Sequence, residues 1–257
     1  MKSAHSDTVQ SQFDAQAHAY LQSAVHAAGP DLQQAQALVA QAIPHATGRI
    51  LDAGCGAGHL SFALAGLVNN VMAVDPSPNM LATVRQAAAD RGLSNIATTQ
   101  ASAESLPFDD ACFCAVTTRY SAHHWLGLAP ALGELRRVVK PGGRILVIDV
   151  EGDENALVDT HLQAMEVLRD RSHIRDRSPS EWQRLLEAAG FTDIEHQSWP
   201  TRLEFSAWVA RMRTSPERAD MIRTLQREAP SEVRQALAIE PDGSFTMRTG
   251  LWWARAA

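Results

Sequence analysis

The chain has 257 residues, 45% of them hydrophobic, and a formal charge of -6 from 23 Lys plus Arg against 29 Asp plus Glu. That length suits one large α/β domain or two small ones with a sizeable core, and an acidic balance without a long basic tract argues against general nucleic-acid binding. Three cysteines argue against a disulfide scaffold. With no apolar signal core after the first residues and no run of membrane-helix length, the reading is a soluble cytoplasmic protein with no membrane partner.

In chain order, the spacing predicts a helix near Gln10 to Tyr20 and another from Asp31 to Ala42, with Asp31 as its cap. A strand follows Gly48 at Arg49 to Asp52, and a helix at Leu60 to Leu67. Val71 to Asp75 is a strand and Asn79 to Asp90 a helix stopped by Gly92. Asn95 to Thr99 and Cys112 to Thr118 are strands, and Ala129 to Val139 is a helix. Pro141-Gly142-Gly143 reads as a turn before a strong strand at Arg144 to Val150. Strands separated by helices of this length indicate a mostly parallel sheet covered on both faces. Beyond it come helices at Ala156 to Arg169 and Ser180 to Ala189, a strand at Phe191 to Trp199, and three helical pieces between Glu204 and Ile239. A turn at Pro241-Asp242-Gly243 leads to a closing strand at Ser244 to Arg255.

The sharpest local feature is Ile50-Leu51-Asp52-Ala53-Gly54-Cys55-Gly56-Ala57-Gly58, an apolar strand that runs into a glycine turn ahead of a helix. Glycines permit positive φ and close backbone approach, and a helix start offers unpaired N–H groups. A dinucleotide fingerprint would need its third glycine at position 59, which is His59. Asp52, an anion before the turn, would repel a pyrophosphate and favours a ligand with positive charge. Asp75 ends the next strand, where an acid can take both hydroxyls of a ribose; as a helix cap, Ser77 is the better residue.

These elements resemble the class I S-adenosylmethionine-dependent methyltransferases. Within that group, Asp75-Pro76-Ser77-Pro78-Asn79-Met80, Ala103-Glu104-Ser105-Leu106-Pro107-Phe108 and the Leu135 to Gly143 segment resemble the ubiquinone/menaquinone-biosynthesis type. Phe13, Ala17 and Tyr20, the stretch Arg119-Tyr120-Ser121-Ala122-His123-His124-Trp125 and the stretch Leu168 to Arg175 resemble an uncharacterised bacterial subfamily of it. The resemblance implies a Rossmann-like, seven-stranded, mostly parallel sheet with its last strand antiparallel. It implies S-adenosyl-L-methionine as cofactor, with Gly54, Gly56 and Gly58 passing beneath it and Asp52 near its amino-acid portion. Asp75 would hold the ribose, Ser102, Ala103 and Glu104 would face the adenine, and Pro76, Met80 and Tyr20 would be further cofactor-binding residues. Two positions depart from the common pattern: Ser102 stands where an Asp usually accepts from the adenine, and Cys114 where an acid usually follows the aromatic Phe113. Residues 1–45 would form a helical lid, 46–150 the cofactor-binding core, and 151–257 the rest of the same domain, with helical additions shaping an acceptor pocket.

Arg119 lies just past the fourth strand, where it could grip the cofactor carboxylate or simply pair with a nearby acid. His123 and His124 suit proton abstraction near neutrality, with Tyr120 beside them as a third catalytic candidate; His173 and His18 are weaker choices, and His5 and His26 read as ordinary residues. Arg169, Arg171, Arg175 and Arg177 could be a solvated face paired with Asp170 and Asp176, or a patch for an acidic small-molecule acceptor. Trp182, Trp199, Trp208, Trp252 and Trp253 read as packing, and Trp125 as a cleft residue. Cys112 and Cys114 lack a second ligand pair, so no metal is expected. The alternatives are a nicotinamide-dependent oxidoreductase, disfavoured by the glycine spacing, and a non-catalytic adenosyl-ligand-binding protein; an RNA methyltransferase would be expected to carry an added basic module.

Overall fold

The computed structural model describes His5, Thr8, Val9 and residues 29–257. The expected helix over residues 10–20, and with it Phe13, Ala17, His18, Tyr20 and His26, lies outside the described residues.

The described chain runs α1 (Pro30–Ala42), β1 (Arg49–Ala53), α2 (His59–Ala65), β2 (Asn70–Asp75), α3 (Pro78–Asp90), β3 (Ile96–Gln100) and β4 (Phe113–Arg119). After a 3-10 turn at Ala122–His124 come α4 (Leu128–Val138), β5 (Val139–Val150), α5 (Ala156–Arg169), α6 (Pro179–Ala188) and β6 (Phe191–Leu203). Three shorter helices, α7 (Phe205–Arg211), α8 (Pro216–Glu228) and α9 (Ser231–Ala236), precede β7 (Phe245–Ala256). The seven strands lie in the order β3-β2-β1-β4-β5-β7-β6. β1 to β5 pair in parallel, and β7 is antiparallel to both β5 and β6. The order reverses between β1 and β4, whose carboxyl ends therefore flank a crevice, the place where open α/β sheets bind ligands.

Alternate residues of each central strand feed opposite faces, as the two-residue period of a strand requires. Leu51, Val116 and Val147 join Leu132 and Leu135 of α4 and Trp182 of α6 on one face. Ile50, Ala115 and Leu146 join Leu32 and Val39 of α1 and Leu60 and Leu64 of α2 on the other. A further apolar cluster lies beyond the sheet, where Leu162 and Met165 of α5 meet Trp208, Ile222 and Val233 from α7 to α9 and Leu203, Phe245 and Met247 from the β6–β7 pair. Trp182, Trp208, Trp252 and Trp253 are all buried in these clusters, in keeping with a packing role.

Local chemistry sets most helix starts. Ser77 Oγ accepts the N–H of Met80 at 3.0 Å, with Pro78 opening α3. Ser178 and Glu181 form a reciprocal capping box at α6, and Gly190, at φ 87°, follows its end. Two local expectations need correction. α1 begins at Pro30 with no side-chain cap; Asp31 sits inside its first turn, and its carboxylate is drawn to Arg119 instead. Pro141-Gly142-Gly143 does not separate a helix from a strand: β5 starts at Val139 opposite Phe113 and resumes pairing at Arg144 opposite Ala115, so the triplet is a bulge carried within the strand.

Candidate active site

A cavity of about 240 Å³ opens at the carboxyl ends of β1, β2 and β4. Of the residues singled out for the cofactor, Asp52, Gly54, Gly56, Asp75, Pro76, Met80, Ser102, Ala103, Glu104 and Arg119 line it. So do Tyr120, His123, His124 and Trp125. Gly58 stands apart from that wall. At φ 91° it turns the chain into α2, and a Cβ there would meet the Phe62 ring at 2.8 Å and Val84 at 3.0 Å, so its demand is conformational and steric. Tyr20 falls outside the described residues.

The glycine loop is held by the acid one strand over. Asp75 accepts the Gly56 N–H at 2.9 Å and the Ser77 N–H at 2.8 Å, so it fixes the loop to the end of β2, while Ser77 does the capping. Gly54 and Gly56 both have positive φ but differ in surroundings. A Cβ at Gly54 would lie 1.9 Å from Ser121 Oγ, whereas a Cβ at Gly56 would meet nothing within 4 Å, as expected for a backbone that leaves room for a ligand. Asp52 is 1% exposed, and Ser61 Oγ donates to its Oδ2 at 2.6 Å; its Oδ1 has no partner among the described residues. Burial, opposed by the Ser61 bond and aided by Asp75, raises the Asp52 carboxyl to about 6. An open, buried carboxylate oxygen beside an empty-sided glycine fits a ligand with a cationic amino group and a bulky body, as an amino-acid-bearing adenosyl cofactor has.

Arg119 Nε donates to Asp31 Oδ2 at 2.6 Å in a buried pair, and its guanidinium lies 4.7 Å from the centre of the Tyr120 ring. The local-acid reading of Arg119 is therefore what its geometry displays, and the acid arrives from α1. Tyr120 itself has φ 49°, and its hydroxyl lies 3.1 Å from Thr249 Oγ1 on β7. Burial, together with the nearby Asp31 charge, pushes the phenol up to about 12.

The paired histidines go to different partners, although their ring centres are only 4.1 Å apart. His123 Nδ1 donates to Asp149 Oδ1 at 2.5 Å, while Asp149 Oδ2 accepts the His123 N–H at 3.1 Å. Burial alone would lower this imidazole, but the charge and hydrogen bond of Asp149, reinforced by Asp176 and Glu166, hold it at about 9. His124 Nδ1 donates to the Ser172 carbonyl at 3.1 Å, and burial beside the charged His123 lowers it to about 3. His173 is lowered to about 2, chiefly by burial, and bonds Gln163 Oε1 at 2.9 Å behind the cavity wall. The histidine segment and the arginine-rich segment form one unit: the His123 carbonyl accepts N–H groups from Ile174 and Arg175 at 2.8 and 3.2 Å.

The arginine run proves to be mostly internal bracing. Arg169 pairs with Glu166 at 3.0 Å and lies over Trp208, and Arg175 pairs with Asp159 and Glu181. Asp170 accepts from Ser172 at 2.8 and 2.6 Å. Several wall residues escaped the sequence reading: Asp149, Glu166 and the far wall of Thr201, Leu203, Trp208, Met212 and Met247. Their only sequence signal is the Asp that ends the fifth strand. His5, read as an ordinary residue, also lines the cavity, and its Nε2 lies 3.0 Å from the His124 carbonyl.

The family described as "Methyltransferase domain" matches residues 51–147. The chain is 33% identical over 232 residues to the uncharacterized methyltransferase YcgJ of Bacillus subtilis, covering 90% of both proteins, and the crystal structure of YcgJ superposes with a TM-score of 0.82 at 31% identity over 88% of this chain and 97% of that one. The chain belongs to the class I S-adenosylmethionine-dependent methyltransferases. This methyltransferase is also 45% identical over 193 residues to the uncharacterized protein YafE of Escherichia coli, covering 75% of this chain and 93% of YafE. To the ubiquinone/menaquinone biosynthesis C-methyltransferase UbiE of Cellvibrio japonicus it is 37% identical over 114 residues, 43% of this chain and 46% of that protein. The methyltransferase family thus accounts for the glycine loop and the parallel sheet, and among the described residues no helix is long and apolar enough to cross a membrane.

Proposed function

We propose that this methyltransferase binds S-adenosyl-L-methionine against Asp52, Gly54, Gly56 and Asp75 and transfers its methyl group to a small-molecule acceptor by direct displacement. The observation that carries this is the pairing of an open space over Gly56 with the unpartnered Oδ1 of buried Asp52. When bound, the cofactor supplies a methyl group on a positively charged sulfur. The chain's task is then to align the acceptor and exclude water. Asp52 would receive the cofactor's amino group, Asp75 with Pro76 and Met80 its ribose side, and Ser102, Ala103 and Glu104 its adenine. Gly58 supports the loop from behind, and Arg119 steadies the rim through Asp31.

A base is needed only if the acceptor must lose a proton. His123 already holds its proton at neutral pH and Tyr120 stays an uncharged phenol, so both suit orientation better than proton removal. His124 keeps a neutral ring but, at about 3, is a weak base. The guanidinium groups of Arg169 and Arg175, two of the four arginines of this segment, are neutralised by carboxylates, which weakens the support for an acidic acceptor. Residues 1–45 would cover the cofactor, a reading supported by His5 and Val9 in the cavity wall; residues 46–150 would hold it, and 151–257 would shape the acceptor side.

Calorimetry with S-adenosylhomocysteine and with NAD tests this reading. Adenosyl-ligand binding without NAD binding is the expected result. Replacing Asp75 with Ala should weaken it about tenfold or more, because a carboxylate hydrogen bond contributes roughly 1.5–3 kcal/mol. Unchanged affinity in that variant would remove the ribose assignment.

A further inference from the structure

Two buried carboxyl groups in the cavity wall each keep one oxygen without a hydrogen-bond partner among the described residues. Asp176 and Glu166 both face the cavity and are 1% and 4% exposed. Among the described residues, Asp176 Oδ2 and Glu166 Oε1 have no hydrogen-bond partner, and Asp176 forms no ion pair. Burying an unpaired carboxylate is costly, and such groups persist mainly where a ligand completes them. Burial and the neighbouring Glu166 charge push the Asp176 carboxyl up from its ordinary value.

The surrounding ledger of charge isolates one residue. Asp149 is matched by His123, Glu166 by Arg169, and Asp159 by Arg175, while Asp170 is engaged by Ser172. Asp176 is left without a direct ion pair among the described residues; His123, whose ligand atom lies within 4.8 Å, and Arg177 act on it only through space, and Glu166 lies beside it. The wall about them carries the apolar Leu203, Trp208, Met212 and Met247 together with Arg169, which is held by Glu166, and Arg211.

We propose that Asp176, with the open oxygen of Glu166, binds a single positive charge on the acceptor, so that the acceptor is a small amine entering as its ammonium with its apolar body against Trp208, Leu203 and the two methionines. The inference rests on the methyltransferase reading above and names the substrate class of that site. An ammonium presents donors in three directions, enough for both open oxygens at once. A divalent metal fits less well. Ligand atoms of His123, Asp149 and Asp176 do lie within 4.8 Å of one another, but both Asp149 oxygens already accept hydrogen bonds, from His123 and the Val150 N–H, so a metal would keep only His123 Nε2 and Asp176. One uncompensated carboxylate also balances one charge, not two.

The test is calorimetry on the full chain saturated with S-adenosylhomocysteine, titrated with benzylamine and n-hexylamine and with the corresponding uncharged alcohols. The amines should bind at least about tenfold more tightly than the alcohols, the difference expected of one charge-assisted hydrogen bond or more. Asp176→Asn should erase that preference and leave S-adenosylhomocysteine affinity unchanged. Because it removes a carboxyl whose ionisation burial opposes, it should also raise Tm by about 2–4 °C. Glu166→Gln, a second variant of the same subsite, should lower amine affinity by less. Equal binding of amines and alcohols, no amine binding, or an undiminished amine preference in Asp176→Asn would overturn the proposal. So would Mg²⁺ or Mn²⁺ binding that is lost in Asp176→Asn while amines give no heat. Failure of S-adenosylhomocysteine to bind, read in a separate titration without amine, strikes the methyltransferase reading itself.

Discussion

Gly54 and Gly56 show how two identical residues with similar backbone angles can have different tasks. Gly54→Ala would force its Cβ onto Ser121 Oγ, the hydroxyl that accepts from Trp125 Nε1 at 3.1 Å. Strain and overpacking together should cost at least about 2 kcal/mol in chemical denaturation. Gly56→Ala meets open space, so only the positive φ opposes it, at roughly 1–2 kcal/mol. Its main effect should be on S-adenosylhomocysteine affinity, measured by calorimetry, because the added methyl group fills the ligand's space. The histidines make a second residue-level prediction. His123 is raised to about 9, so its contribution is complete below about 6.5, its ordinary value, and is lost as pH rises through 9. His124 and His173 are lowered, so theirs is lost as pH falls from about 6.5. Melting temperature against pH should peak near neutrality, and Asp149→Asn should flatten the alkaline limb. Asp52, the glycines and Asp75 were legible in the sequence because strand, turn and acid are neighbours along the chain. Asp149 and Glu166 were not, because a carboxylate's meaning there depends on which partner arrives from elsewhere. Asp176 was visible but assigned to the arginines, whose charges the fold gives to Glu166, Asp159 and Glu181.

Among elements, α1 depends most on a single contact. It packs Leu32 and Val39 against the sheet, but its first turn is tied to the end of β4 by the Asp31–Arg119 pair, 2.6 Å long and almost fully buried. Asp31→Ala leaves the guanidinium with a buried charge and should cost about 3 kcal/mol or more in urea unfolding. The Arg119→Met, Asp31→Leu double variant should recover part of that loss. Element positions were largely readable because apolar periodicity and turn residues are local, and most boundaries fell within two residues of expectation. The exceptions have physical causes. Asp31 gained a stronger partner than its own helix terminus offers. The Pro141 to Gly143 bulge remains in β5 because Val139 can pair with Phe113 before the chain loops out. β6 runs to Leu203, beyond the expected Trp199, because β7 continues alongside it to Phe245.

At the scale of the whole molecule, the cavity has two walls of different origin. One is the strand ends and glycine loop of the parallel sheet. The other is the far end of the β6–β7 pair with α5 and α7, resting on its own apolar cluster. β6 and β7 are 13 and 12 residues long, against 5 to 7 for β1 to β4, so they project past the sheet and carry Thr201, Leu203, Met247 and Thr249 to the pocket. A substitution at Leu203 or Met247 meets no residue of the glycine loop's hydrogen-bond set. Altering one projecting hairpin can therefore retune what enters the pocket while the glycine-loop half, proposed to hold the cofactor, stays as it is. Laboratory evolution confined to the lining positions Thr201, Leu203, Met247 and Thr249, with the core residues Phe205, Trp208 and Phe245 kept, should diversify acceptor preference.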